Sequence, residues 1–537
     1  MNRKTSFRSG VLVTAGALLL SGAAMAGQPL FTGPANVQPD AAATAGRLAA
    51  RPASTSLRAL QANPSVVSAQ TAEIELDLGL QRVNAVLEQA KAQPDGSVVW
   101  IGHVRETAKA RAATAREVRH DGNNSVILVR RGEGVTGNVR VDGQLYRIRP
   151  LPDGSHAVIE VNEAAMPPDH PSAFGDLPQI QMAPAAGQVS ALAIDPGPTA
   201  TIRVLVVATN NAVSAYGGDM QALVQLAVAE SNQGYVNSNV GINLELAGYT
   251  TVSYADVGMS TDLSRFRGTS DGYMDNIHAL RDSNAADVAV LVGNDSSACG
   301  LASGIGSTAS TAFATAYWDC ITGYYSFAHE IGHLQSARHD PATDPTNTPY
   351  VYGHGYRAPN NAWRTIMAYA CTGGCPRLNY WSNPDVTYSG VAMGTADRSH
   401  NQRVLVNTKA TIAAFRGGGG GGGNPQTYSN ATDYAIGDNT TVDSPIAVSG
   451  RTGNAPANAS VAVNIVHTYR GDLRVDLVAP DGTLYNLHNR SGGSADNLNS
   501  TYTRDLGSEP LNGTWRLRVN DNAGGDTGYI NSWSITF

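Results

Sequence analysis

Tyr324-Tyr325-Ser326-Phe327-Ala328-His329-Glu330-Ile331-Gly332-His333-Leu334-Gln335-Ser336-Ala337-Arg338-His339-Asp340 is the stretch that decides how the chain is to be read. His329 and His333 stand four apart, so on a helix they share one face, one turn apart, and both reach one metal ion. Glu330 is adjacent and touches water held there without filling a coordination position. A catalytic zinc needs such a set: protein ligands, an open position and a base nearby. Chance alone places H-E-x-x-H in roughly one chain in a hundred of this make-up. His339, ten residues after His329, makes three unrelated surface histidines a poorer explanation still. A continuing helix would rotate His339 by about 240° from His333 and carry it about 9 Å onward. The chain must therefore turn near Gln335 or Ser336.

Around this stretch, strands alternate with helices. Ile202–Val207, Ile242–Leu246 and Val288–Val292 read as buried strands, and Met220–Val236, Tyr273–Ser283 and Arg403–Phe415 as helices. That alternation predicts an α/β layer domain over residues 199–416. The unbroken Gly417–Gly423 follows, a polyglycine linker spanning roughly 15 Å by random-coil scaling. Residues 424–537 hold only short strands and Asn, Gly and Asp turns, the pattern of an all-β sandwich. Upstream, Ser97–Val161 reads as short alternating strands in a small β-rich domain. Gly27–Glu75, rich in Ala, Pro, Ser and Thr, reads as a flexible lead, and Met166–Pro198 as a loose stretch. The fold class expected is thus multidomain: a β-rich N-terminal region, an α/β domain and a C-terminal β-sandwich.

Residues 1–26 combine Arg3, Lys4 and Arg8 with an apolar run Val11–Leu20 and an Ala24-Met25-Ala26 site, a secretory signal peptide. A membrane anchor needs about 20 apolar residues, and this run is too short. The protein is expected to be secreted, extracellular or periplasmic in transit, without a membrane partner once the signal is removed. Charged residues make up 15 % of the 537 and the net charge is −7, which leaves no basic excess for nucleic acid. Four cysteines, Cys299, Cys320, Cys371 and Cys375, allow three pairings in an oxidising compartment, and a second metal site is the alternative.

The stretch H-E-I-G-H-L-Q-S-A-R-H resembles the extended motif of the metzincin zinc peptidases, with Asp340 after the third histidine as in the adamalysin or reprolysin branch. The resemblance implies His329, His333 and His339 as ligands of one catalytic zinc ion and Glu330 as general base and acid. It departs at Ser336, where the family has Gly; a left-handed backbone there costs a non-Gly residue about 1–2 kcal/mol. Thr365-Ile366-Met367-Ala368-Tyr369 resembles the family's turn that sets Met367 beneath the metal, and Tyr369 matches a Tyr that approaches the zinc in some members. His354 is the nearest competing ligand, read as a loop histidine at the specificity wall. Tyr380-Trp381-Ser382-Asn383-Pro384 resembles the peptidyl-Asp metallopeptidases, which implies cleavage before acidic residues, with Arg357 or Arg364 as candidate cations.

The same resemblance favours Cys299–Cys320 and Cys371–Cys375 as disulfides. Gly143–Pro150 followed by Gly154-Ser155-His156 resembles the pro-segments of such peptidases, which implies that residues 27–198 are a propeptide acting as an intramolecular inhibitor. The segment has no cysteine to reach the metal, so Asp169 or His170 is the candidate contact, with an ordinary polar turn at Asp169-His170-Pro171 as the alternative. Residues 424–537, through His467-Thr468-Tyr469-Arg470-Gly471-Asp472-Leu473 and Gly513-Thr514-Trp515-Arg516-Leu517, resemble the P (Homo B) domain of proprotein convertases. In some relatives that domain binds calcium, for which Asp472, Asp476 or Asp521 are candidates. The function expected is a secreted zinc metalloendopeptidase made as a zymogen and acting on proteins or peptides. The alternative is a secreted binding protein whose zinc domain is inactive and whose P domain does the work.

Overall fold

The computed structural model of the chain describes residues 27–105, 117, 120–180, 182, 196–416, 427–449, 454–456, 459–507 and 509–537. The expected signal peptide and the heptaglycine lie outside the described residues.

The N-terminal region forms one ten-stranded sheet. Its elements are β1 (Gln28–Pro29), β2 (Phe31–Pro34), α1 (Pro39–Ala49), β3 (Ser54–Ala62), β4 (Glu73–Asp77), β5 (Arg82–Ala92), β6 (Val98–Val104), β7 (Ser125–Arg131), β8 (Gly134–Val141), β9 (Gln144–Pro150) and β10 (His156–Val161). The strand order is β1-β4-β5-β6-β7-β8-β9-β10-β3-β2, so the two edges are consecutive in the chain with only Leu30 between them. Leu30 donates its N–H to the Glu75 carbonyl (2.9 Å) and its own carbonyl accepts from Asn63 N–H (2.8 Å), fastening one edge to the other. Side chains alternate as the pleat requires. Trp100, Val126, Leu128 and Ile148 fill a core on one face. Val99, Ile101, Ile127 and Val129 on the other face meet Ala222, Leu226 and Ala229 of the next region.

Residues 27–75 are not the flexible lead that composition suggested. They carry four strands and a helix of the sheet region. α1 has Pro at its first turn and buries Ala41, Thr44 and Leu48. Small side chains give such a helix little apolar signal, but Ala is the best helix former and Pro suits an N-terminus.

The central region comprises β11 (Ala200–Thr209), α2 (Asn210–Tyr216), α3 (Met220–Asn237), β12 (Ile242–Val252), α4 (Met259–Arg267), α5 (Asn276–Ser283), β13 (Val288–Gly293), β14 (Gly300–Ala302), β15 (Phe313–Tyr317), α6 (Ser326–Leu334), the hairpin β16 (Asn383–Tyr388) and β17 (Val391–Met393), and α7 (Asn401–Ala413). Its sheet runs β12-β11-β13-β15-β14. The first four strands are parallel and β14 alone is antiparallel, which makes β14 the edge beside the active-site helix. All six residues of β13 are buried, as a parallel strand covered on both faces must be. Ala41, Leu48, Leu145 and Ile159 of the N-terminal region belong to this region's core.

The C-terminal region holds β18 (Thr427–Asn430), β19 (Tyr434–Ile436), β20 (Thr441–Val448), β21 (Ala459–His467), β22 (Leu473–Val478), β23 (Leu484–Asn489), β24 (Leu498–Arg504), β25 (Gly513–Asp521) and β26 (Gly528–Thr536). They make two sheets, β18-β26-β21-β24 with β19 also on β26, and β20-β25-β22-β23. Both sheets share one core around Trp515 and Trp533.

Candidate metal centre and active site

α6 carries His329, Glu330 and His333, and every residue of this helix is buried. It is seated by Gly332, where an added Cβ would lie 2.7 Å from the Trp381 ring and 3.1 Å from Met367 Sδ. Met367 is thus beneath the helix, fully buried. The helix ends at Leu334, and Ser336 adopts φ 75°, the left-handed turn that sequence spacing demanded. That turn brings His339 back: its Nε2 lies 3.2 Å from Nε2 of His329 and 3.0 Å from Nε2 of His333. Nitrogens sharing one tetrahedral zinc at about 2.0–2.1 Å are about 3.3 Å apart, so the three rings fit a single ion.

The remaining ring nitrogens fix the tautomers. Nδ1–H of His329 donates to the Ile366 carbonyl (2.9 Å) and Nδ1–H of His333 to the Ala337 carbonyl (2.8 Å). Each Nε2 lone pair is left facing the common centre. Burial, then the neighbouring imidazoles, hold the His329 ring well below its ordinary pKa, so it stays in the neutral, ligating form. Burial likewise lowers His333 to about 3.

A fourth imidazole joins from the N-terminal region. His170 stands with His329, His333 and His339 in a group whose ligand atoms all lie within 4.8 Å of one another. Its Nδ1 is 2.8 Å from the Tyr369 hydroxyl. Its Nε2 is 3.1 Å from Oε1 of Glu330, though not in line for a hydrogen bond. Glu330 is pushed up to about 8, chiefly by burial. Gly300 of β14 lies so close that a Cβ there would collide with the Glu330 carboxylate.

The segment bearing His170 is not loose, contrary to the sequence expectation. Cys299 N–H donates to the Pro168 carbonyl (2.8 Å) and Gly300 N–H to the Asp169 carbonyl (3.1 Å), so the segment runs alongside the β14 edge. Many prolines preclude regular structure, which hid this order from composition. Asp169 is buried between two guanidiniums, 2.7 Å from Arg377 and 3.6 Å from Arg364. Burial opposes its ionisation, but Arg377 and then Arg364 outweigh it and hold the carboxyl below its ordinary range.

His354 is fully buried, and its Nδ1–H donates to the backbone carbonyl of His339 (2.8 Å), steadying the third histidine rather than competing with it. Of the two cations proposed for specificity, Arg357 is paired with Asp340 (3.0 Å) and part-exposed, whereas Arg364 is buried. Arg377, one residue past Cys375-Pro376, was not singled out; no spacing links it to a residue more than 200 positions upstream. The disulfides are Cys299–Cys320 and Cys371–Cys375. The calcium expectation finds no support: among the described residues the four histidines are the one cluster of three or more His, Cys, Asp or Glu ligand atoms close enough to share an ion. Asp476 is engaged by Arg474 and Asn486, and Asp521 lies 3.5 Å from His467.

Comparison with known proteins agrees with this geometry. Residues 198–382 match metallo-peptidase family M12 and residues 456–537 the proprotein convertase P-domain. A peptidyl-Asp metalloendopeptidase of Xanthomonas campestris pv. campestris is 57 % identical over 409 residues, covering 74 % of this chain and 97 % of that protein. A namesake from Stenotrophomonas maltophilia strain K279a is 58 % identical over 375 residues, 69 % of this chain and 89 % of that protein. Leupeptin-inactivating enzyme 1 of Streptomyces exfoliatus is 66 % identical over 114 residues, 21 % of this chain and 26 % of that protein. With a buried multi-histidine centre, an M12 match and near-complete coverage of such relatives, the chain belongs to the peptidyl-Asp metalloendopeptidase family and is a metalloendopeptidase.

Proposed function

We propose that the protein is a secreted, zinc-dependent metalloendopeptidase of metzincin type, made as a zymogen whose residues 27–198 are the pro-region. The convergence of the His329, His333 and His339 Nε2 atoms beside the buried Glu330 carboxylate carries this reading. Three neutral imidazoles suit zinc, and the fourth nitrogen, from His170, comes from the segment that maturation would remove. Bound zinc would polarise the scissile carbonyl and acidify water.

Glu330 takes the proton of the attacking water and delivers it to the leaving amine. Its pKa, raised by burial, returns toward the ordinary range when water enters the site. Tyr369 OH, released from His170, becomes free to donate to the tetrahedral oxygen. The names of the relatives carry a preference for Asp, which we extend to this chain as cleavage before acidic residues. No described helix is long and apolar enough to cross a membrane.

Glu330→Gln tests the assignment. Zinc content should be retained while casein hydrolysis falls by roughly 10²–10⁴-fold. Hydrolysis at the unaltered rate by a zinc-loaded Gln variant would refute the role.

A further inference from the structure

Arg364 and Arg377 are buried in the central region, with side chains 2 % and 0 % exposed. Their hydrogen bonds to the central region itself go to neutral groups. Arg364 donates to the Ala368 carbonyl (2.6 Å) and the Tyr324 hydroxyl (3.0 Å), and Arg377 to the Tyr324 carbonyl (2.9 Å) and the Ala368 carbonyl (3.2 Å). The Tyr324 ring lies under both, at 5.2 and 4.4 Å. Of the carboxylates that act on the two cations, Asp169 and Glu163 come from the N-terminal region, and Asp169 alone is at ion-pair distance; Glu330 of the central region acts on Arg377 from further away. Buried charge without a partner is strongly unfavourable, so a catalytic region stripped of the N-terminal segment presents two desolvated cations in need of an anion.

Their position decides what that anion is. Asp169 is next to His170, which stands in the metal cluster, and its backbone is bonded to the β14 edge. Ala368, whose carbonyl both guanidiniums hold, sits between Met367 and Tyr369. The pocket therefore lies one residue along the chain from the metal centre. Arg357 cannot play this part, because Asp340 of the same region already neutralises it.

We propose that Arg364 and Arg377 form the pocket that selects an acidic side chain in the substrate, and that Asp169 fills it in the unprocessed chain as the substrate's stand-in. The inference rests on residues 27–198 being a pro-region. A carboxylate gains charge-assisted hydrogen bonds in this pocket, and an isosteric amide leaves donors unpaired.

Two measurements test it. Enzyme matured from the full-length chain is given two peptides differing only in Asp or Asn after the cut. The unaltered enzyme should favour Asp by about a hundredfold in kcat/KM. Arg377→Gln and Arg364→Gln should each bring that ratio toward unity, and Arg377→Lys should keep an intermediate preference. If the rates fall but the ratio stays, the arginines are merely structural and the pocket is refuted. Second, in the full-length chain, Asp169→Asn should speed hydrogen exchange at the Cys299 and Gly300 amides at least tenfold. Unchanged protection there would refute the stand-in, and this readout needs no activity. Absence of chelator-sensitive hydrolysis from the matured, unaltered enzyme would instead overturn the proposed function.

Discussion

Ser336→Gly offers a quantitative test of how the third histidine reaches the metal centre. Ser336 holds φ 75° and is fully buried, and its hydroxyl has no hydrogen-bond partner. The left-handed backbone costs a non-Gly residue about 1–2 kcal/mol. A buried, unpaired hydroxyl costs about 1–3 kcal/mol more. Gly removes both terms and returns about 0.5–1 kcal/mol through its greater freedom in the unfolded chain. The net gain is about 2 kcal/mol, which for a domain of this size raises the unfolding midpoint by about 4–8 °C. Calorimetry of the full-length zinc-loaded protein reads this shift, with zinc content measured beside it. An unchanged or lowered midpoint would show that His339 is carried by some other backbone route, and the turn assigned to Ser336 would be wrong.

Tyr369→Phe should lower kcat of the matured enzyme by about tenfold or more while zinc stays bound; equal turnover of the two would exclude the hydroxyl from catalysis. His354→Ala removes the donor to the His339 carbonyl, and a competing chelator should then strip the metal at about tenfold lower concentration; an identical stripping curve counts against that steadying role. In the N-terminal sheet, burial lowers His156 to about 4 from 6.5, and its Nε2 accepts from Val135 N–H. A folded pKa below the unfolded one means the stability is full above pH 6.5 and is lost as pH falls toward 4. Two and a half units correspond to about 3 kcal/mol. Denaturant melts of the full-length chain over that window should show the loss, and His156→Leu should flatten it; parallel slopes for both proteins would overturn the assignment.

What the sequence made legible follows from how local each signal was. The H-E-x-x-H helix, the need to turn before His339 and the Met367 turn all lie within 44 residues, where helical geometry and the demands of one ion over-determine the answer. Strands such as Val288–Gly293 were legible because both faces are buried. The contribution of the N-terminal region was harder to read. Asp169 and His170 meet Arg377 and Glu330 across more than 150 positions, through an irregular Pro-rich segment whose order comes from the edge it lies on. α1 was missed because Ala and Thr bury little area each, and its apolar stripe exists only relative to the core it caps. The burial of Arg364 was not legible because a buried guanidinium is rare unless paired, and its partner lies in a different region of the chain.

The clasp at Leu30 has a consequence for synthesis. Because Gln28–Pro34 locks on to β4 on one side and β3 on the other, the sheet becomes continuous only when β10 has bridged β9 to β3. The edges of β3 and β9 thus wait for Val161 before they are paired. Until then both of these edges are open, and the half-made sheet is the stage at which this protein is most exposed to wrong strand partners.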